Sequence, residues 1–251
     1  MPASVLLLGA SAAVRVASLN LCADEYLLLL ARPDEIVGVS YLARDPAESS
    51  LWRQARPHPG NRGAFEEVVA ARPTLVLTMG GGGRSSALLA KRLKLHSIDL
   101  KLPATLDDVE LNLRTVARAL GDEHRAAPYL ARLQALRRNV PAHGLASAFV
   151  TGGGLSFPPN SLGARWMSLA GFAQVPLTGA RLTLEDLVTS PPKALIISNY
   201  RAREYSRGQA WLNHPLVRRS GARKIATDGR PWTCLGPAMI PEIERLHGVA
   251  R

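Results

Sequence analysis

The sequence has little of several features that would assign a protein class at once. Its 251 residues contain two cysteines, Cys22 and Cys234, which exclude a disulfide-rich scaffold and a zinc site built from paired CxxC motifs. Aromatic residues make up 5% of the chain, and no run of five or six basic residues occurs despite a formal net charge of +11. We therefore expect no base-stacking platform, no basic tail and no nucleic-acid partner.

Long apolar segments are also missing. No stretch reaches the roughly 18 uncharged apolar residues that a membrane-spanning helix requires. Residues 1–14 hold a short apolar run followed by small residues, which is similar to the end of a secretory signal without its basic start. We expect this segment to be a truncated signal of an exported protein, or else a cytosolic leader.

Catalytic and nucleotide motifs are absent as well. The chain has no G-x-S-x-G or H-E-x-x-H pattern, and its six histidines are scattered, so we expect no enzyme, no intrinsic cofactor and no metal site. Four glycines begin at Gly80, but they are followed by Arg84 and Ser85 rather than by the lysine of a phosphate-binding loop. An open wall, where a bulky ligand approaches the backbone, fits this loop better.

What the chain does have is a regular alternation of apolar strands and helices. It runs from about Val16 to Leu102, gives way to about 35 helical residues divided by Gly121, and resumes after Ala146. This pattern predicts an α/β protein with two Rossmann-like lobes bridged by one long helix. The predicted units are a leader at 1–14, a lobe at 15–120, a linking helix at 121–141 and a second lobe at 142–251.

The two halves repeat one motif. "FEEVVAARPTLVLTMGG" and "LEDLVTSPPKALIISNY" both read as an acidic helix start, a turn with proline, an apolar strand and a polar or glycine-rich loop. The dipole of a short helix favours one acid at its start, but it does not explain why Glu66 and Glu185 recur at equivalent places. If the halves are related by a pseudo-two-fold axis, both acids lie at the tops of the lobes, where they can meet arginines of a two-fold partner.

These segments, in their order and spacing, resemble the cobalamin, iron-siderophore and haem substrate-binding proteins of bacterial ABC importers. The resemblance is carried by "ASLNLCADEYLLLLARPDEIVGVS", "FEEVVAARPTLVL", "LPATLDDVELNLRTVARALG", "LTLEDLVTSPPKALII" and "WLNHPLVRR" before "WTCLGP". It implies the class III fold, in which a helix spans both lobes, and a monomeric periplasmic receptor without enzymatic activity. The implied partners are a metal chelate and a dimeric membrane permease, which Glu66 and Glu185 would dock.

The ligand should lie beyond the carboxyl ends of the strands, so the residues of those loops are the candidates for its site. We expect flat or apolar contacts, charge pairing and an open backbone wall from three groups of residues. They are Tyr41, Met79, Phe157, Tyr200 and Trp232 for apolar contact, Arg62, Arg84 and Arg201 for charge, and Gly80 and Gly81 for the wall.

Cys22 and Cys234 each follow a strand on the expected cleft side, one in each lobe. Three alternatives remain open for them: two small buried residues, an axial thiolate for a bound metal, or a redox-sensitive latch between the lobes. The function also has alternatives, namely a receptor of the same fold for free metal, a cytosolic α/β nucleotide-binding protein, and a nucleic-acid binder.

Overall fold

A computed structural model describes residues 14–80, 84–202, 204 and 206–250. The first lobe has a parallel sheet in the order β3-β2-β1-β4-β5. Its strands are β1 (Val16–Ser18), β2 (Ile36–Ser40), β3 (Gly60–Asn61), β4 (Leu75–Met79) and β5 (His96–Leu100). Its helices are α1 (Leu21–Leu30), α2 (Trp52–Ala55), α3 (Glu66–Val69), α4 (Arg84–Arg92) and α5 (Leu106–Ala119).

Helix α6 (Ala127–Arg138) joins the two lobes, directly after a 3-10 turn at Glu123–Ala126. The linking helix predicted over 121–141 is therefore shorter, about 18 Å long at 1.5 Å per residue. Gly121, with φ +77°, separates it from α5, and the left-handed backbone at this position favours glycine.

The second lobe repeats the design with a parallel sheet in the order β7-β6-β8-β9. Its strands are β6 (Leu145–Val150), β7 (Phe172–Gln174), β8 (Ala194–Ser198) and β9 (Arg223–Thr227). Its helices are α7 (Leu162–Leu169), α8 (Asp186–Thr189), α9 (Arg207–Leu212), α10 (Pro215–Arg219), α11 (Pro231–Cys234) and α12 (Met239–Ala250). Every strand pair in both sheets is parallel, so the predicted fold class is confirmed.

Helix starts are fixed by local side chains. Asn20 caps α1 by accepting from the N–H of Ala23 at 3.0 Å. Thr105 and Asp108 form a reciprocal capping box at α5, in which each side chain accepts from the other residue's N–H. Such caps satisfy N–H groups that the first turn of a helix leaves unpaired, so α1 and α5 each begin at a defined residue.

The main hydrophobic core runs through both lobes without a break. Leu130, Leu133 and Leu136 on one face of α6 are buried in the same cluster as Leu77 of the first sheet and Ile196 of the second. Since wide opening would separate closely packed core side chains, this continuity favours small hinge motions.

Two very short strands were missed by the sequence analysis. β3 is two residues long and β7 is three residues long. Helices α9 and α10 are separated at Pro215, which is the first residue of α10. Within the described ranges, no helix is both long and apolar enough to cross a bilayer.

Candidate functional site

The strand orders place a crevice at the carboxyl edge of each sheet. In the first lobe the order reverses between β1 and β4, and in the second between β6 and β8. Loops diverge at such a switch point, and ligands of open α/β sheets bind there. The loops after β1 and β4 therefore face the site from one lobe, and those after β6 and β8 from the other.

Two asparagines organise the wall of the first lobe. Asn61 donates through its side-chain amide to the carbonyl oxygens of Ser18 at 2.8 Å and Val39 at 2.9 Å, which joins the ends of three strands. Asn20 donates to the carbonyl of Met79 at 3.1 Å and so fixes the start of the glycine loop. Both amides are occupied by the backbone, so the strand ends form a rigid polar floor.

The predicted contact residues of the first lobe have different environments. Tyr41 is 56% exposed at the end of β2, and Arg62 is also exposed, whereas the Met79 side chain packs inside the core. Met79 is therefore not an apolar rim as expected, because its place in a central strand turns it inward. Gly80 has φ +84°, and an added Cβ would meet nothing within 4 Å, so the wall is open there. Gly81 and the side chain of Arg84 lie outside the described residues.

An aromatic cluster forms the wall of the second lobe. The ring centroid of Phe149 lies 4.5 Å from that of Phe157 and 4.6 Å from that of Trp232. Trp232 is 5% exposed, and its indole N–H donates to the hydroxyl of Thr227 at 2.9 Å. Trp232 is thus a fixed part of the pocket floor rather than an exposed rim. The pocket has a volume of about 170 Å³ and is lined by Phe149, Thr151, Leu155, Ser156, Phe157, Ser198, Tyr200, Gly229, Trp232 and Thr233.

Glu48 of the first lobe reaches across to the second. The Tyr200 hydroxyl donates to one carboxylate oxygen of Glu48 at 2.7 Å, and the Arg201 guanidinium donates to the other. Burial raises the pKa of Glu48, but these two donors outweigh it and hold the pKa below its ordinary value. We call this group, Glu48 with Tyr200 and Arg201, the clasp.

Arg230 makes a second contact between the lobes. It pairs with Asp228 through two nitrogens, at 2.9 and 2.6 Å, and donates to the carbonyls of Pro46 and Ser49 at 2.8 and 3.2 Å. The guanidinium has enough N–H donors to bind the Asp228 carboxylate and both backbone carbonyls at once. The segment that carries Glu48 is therefore held against the second lobe at two places.

Cys22 and Cys234 are joined in a disulfide, with a Cα–Cα distance of 5.3 Å and a sequence separation of 212. The bond connects the first turn of α1 to the end of α11 and so crosses from one lobe to the other. An axial thiolate is wrong for this pair, because sulfur atoms bonded to each other are not thiolates. Of the three alternatives, the structure contains the latch between the lobes, in the form of this disulfide.

Two buried acids lie beside the disulfide. Asp24 accepts from the N–H of Ser40 at 3.1 Å and from its hydroxyl at 2.5 Å, and burial raises its pKa to about 6. Burial raises the pKa of Glu25 to about 8. A hydrogen bond from the N–H of Ala238 lowers this pKa, and the negative charge of Asp24 raises it to a smaller extent. One oxygen of Glu25 has no hydrogen-bond partner among the described residues. Glu25 is therefore protonated at neutral pH in this junction.

Sequence reasoning missed Glu48, Arg230 and Glu25. Glu48 lies in the loop "DPAESS" and meets partners 152 and 153 positions away, a distance at which no local pattern gives a signal. Glu25 follows Asp24 in a helix rich in leucine, and an acid pair at that place was the one available sign. The docking candidates Glu66 and Glu185 are both exposed, at the start of α3 and immediately before α8.

Comparison with known families decides the class of this fold. The sequence profile described as periplasmic binding protein matches residues 16–209, which is most of the chain. This chain belongs to the periplasmic binding protein family. No curated protein sequence matches it at a significant level.

Solved structures agree with this periplasmic binding protein in fold. The haem-binding protein HutB of Vibrio cholerae superposes with a TM-score of 0.74 at 18% identity, covering 95% of this chain and 99% of the other. A haem-binding protein from Pseudomonas aeruginosa gives 0.67 at 21% identity, with 94% and 92% covered. The vitamin B12-binding protein BtuF of V. cholerae gives 0.63 at 18% identity, with 94% and 97% covered.

Proposed function

We propose that this periplasmic binding protein is the substrate-binding component of an ABC importer and captures a metal chelate between its lobes. The chelate is a corrinoid, a haem or a ferric siderophore, and the protein carries it to a dimeric permease without changing it chemically. The protein acts as a periplasmic monomer. The similar structures are those of haem-binding and vitamin B12-binding proteins, which supports this ligand class.

The observation that carries the proposal is the pairing of an aromatic pocket with an open wall. The Phe149, Phe157 and Trp232 rings lie at the switch point of the second sheet, and Gly80 opens the switch point of the first. The clasp and the disulfide hold these two edges against each other. A large, flat and partly apolar ligand is complementary to such a cleft.

The alternatives have less support. A receptor for a free metal ion needs several hard or imidazole ligands in one place, and no three His, Cys, Asp or Glu side chains are grouped for this within the described part of the chain. The family match favours a carrier over a nucleotide-binding or nucleic-acid-binding protein.

The first test is a fluorescence titration of the purified protein with cyanocobalamin, haemin and a panel of ferric siderophores. Trp232 lies in the pocket, so we expect one chelate to quench emission saturably at micromolar concentration or below. Trp232→Phe is the matched control and should lose most of the quenching. A response to ATP or to a DNA duplex, with none to any chelate, would refute the proposal.

Permease docking is tested by transport. Replacing Glu66 and Glu185 together by alanine should lower uptake by about tenfold and leave chelate affinity unchanged, because both side chains are exposed and neither lines the aromatic pocket. Glu123→Ala is the control, since Glu123 is an exposed carboxylate in the turn before α6. Equal uptake by the double variant and the control would show that these acids do not dock.

A further inference from the structure

The charged side chains at the rim of the second lobe are balanced in pairs. Arg201 contacts Glu48 and also Glu204, at 3.3 Å from the latter, and Arg230 pairs with Asp228 at 2.6 Å. A cavity of about 410 Å³ lies next to the aromatic pocket, and its lining includes Tyr200, Arg201, Glu204, Asp228 and Arg230. A guanidinium that already has a carboxylate partner has less to gain from a carboxylate on a ligand.

Glu48 is the member of this group that comes from the opposite lobe. Its side chain is 7% exposed, whereas that of Arg201 is 46% exposed, so the carboxylate is sequestered and the guanidinium remains accessible from the cavity. Tyr200 lines both cavities, and its hydroxyl is turned toward Glu48. The ring of Tyr200 can contact a ligand while its oxygen is committed to the other lobe.

We propose that Glu48 is a specificity-determining residue that neutralises Arg201 and fixes Tyr200, so that this wall accepts an uncharged part of the ligand. The inference rests on the proposed function, because it concerns the same cleft. In this arrangement the aromatic wall and the clasp contact the uncharged periphery of a chelate, such as its amide or hydrocarbon edges. Ligand carboxylates are left to other parts of the site.

The physical basis is competition for one guanidinium. A carboxylate on the ligand would have to displace Glu48 from Arg201, and the displaced Glu48 would then be a buried anion without its cation. An uncharged edge requires no such exchange and can pack on the rings directly. Glu48 therefore discriminates against anionic ligands at this wall, because its own carboxylate loses its cation when such a ligand pairs with Arg201.

The main test compares affinities in wild type, Glu48→Gln and Glu48→Gln with Arg201→Gln. Haemin and ferric citrate serve as carboxylate-bearing probes, and cyanocobalamin and a neutral ferric hydroxamate as uncharged ones. The amide still accepts from Tyr200 but no longer pairs with Arg201, which keeps only the exposed Glu204 as a carboxylate partner. The affinity ratio of anionic to neutral probes should therefore rise about tenfold in Glu48→Gln. The double variant should lose this rise, because it lacks the released guanidinium.

A matched control removes a charge nearby without touching the clasp. Asp45 is exposed in the same segment and accepts from the N–H of Ala47 at 2.8 Å, a bond that asparagine can also accept. Asp45→Asn should leave the ratio within about twofold of wild type, since an exposed charge is largely screened by salt. An equal rise in Asp45→Asn and Glu48→Gln would overturn the inference, because it would reflect net charge alone.

A measurement without ligand distinguishes a failure of the inference about Glu48 from a failure of the proposed function. Burial, and after it the hydrogen bond to Glu48, raises the pKa of the Tyr200 phenol. The alkaline absorbance titration of this phenol, taken as the difference from Tyr200→Phe, should shift to lower pH in Glu48→Gln. If no shift occurs, the clasp does not form and the inference fails. If the shift occurs but no variant binds any of the four probes or any other chelate, the proposed function fails instead.

Discussion

The two lobes meet at two junctions of opposite character. One is buried and partly covalent, where the Cys22–Cys234 disulfide and the buried acid Glu25 share helix α1. The other is polar and closer to solvent, where Glu48 and Arg230 join the lobes through charged hydrogen bonds. The first can change only when a covalent bond or a protonation state changes, whereas the second can exchange partners with a ligand. The covalent junction thus provides rigidity between the lobes, and the polar junction provides selectivity for the ligand.

Breaking the covalent junction should have the largest effect. Replacing Cys22 and Cys234 together by serine should lower the free energy of unfolding by about 2–5 kcal/mol, because the bond constrains a very long loop of the unfolded chain. Urea denaturation of the variant and of wild type, with and without reductant, measures this. Reductant should weaken wild type alone, and equal stability of all four samples would show that the bond does not form.

Glu25 should make the same junction sensitive to pH. Its pKa is raised to about 8 from an ordinary 4.5, so between these values the folded state holds a proton that the unfolded state releases. The free energy of unfolding should therefore fall as pH rises from about 4.5 to about 8. Each unit of difference between the folded and unfolded pKa values corresponds to roughly 1.4 kcal/mol, so the expected fall is a few kcal/mol.

Glu25→Gln is the matched variant for this effect, because glutamine resembles the protonated acid and does not titrate. Urea unfolding at several pH values should show a shallower decline in Glu25→Gln than in wild type. Asp24, whose pKa is also raised, titrates in both proteins, so the difference between them reports Glu25 and its electrostatic coupling to Asp24. Parallel stability curves would contradict the buried, protonated state of this acid.

The polar junction should respond least. Arg230→Lys keeps the charge but cannot pair with Asp228 through two nitrogens and also reach the carbonyls of Pro46 and Ser49. We expect a loss of about 1 kcal/mol in unfolding free energy, measured by urea denaturation. Arg118→Lys, in an exposed pair with Glu123, is the control and should change stability by only a few tenths of that amount.

The contrast between the junctions also separates what sequence could predict from what it could not. Periodicity was sufficient for the parallel sheets, because strands such as Leu75–Met79 and Ala194–Ser198 are buried apolar runs between helices. It failed at β3 and β7, since two or three residues are too few to show a period.

The site was accessible to sequence only where it depends on loop position. Phe157, Tyr200 and Trp232 line one aromatic pocket, and their common signal in the sequence is that each follows a strand of one sheet. Their contact with a ligand stays a prediction. The orientation of a side chain was not accessible, which is why Met79 and Trp232 were expected at the rim although both are buried. Contacts across the lobes, such as Glu48 with Arg201, depend on how two folded units meet.

The disulfide has a consequence for biosynthesis. Because 212 positions separate its two cysteines, a ribosome working at 5–20 residues per second would complete the second partner roughly 10–40 s after the first. During that interval Cys22 belongs to a nascent chain whose correct partner does not yet exist. The covalent closure of this protein is therefore necessarily a late event, and an oxidant that acts too early can only pair Cys22 with another molecule.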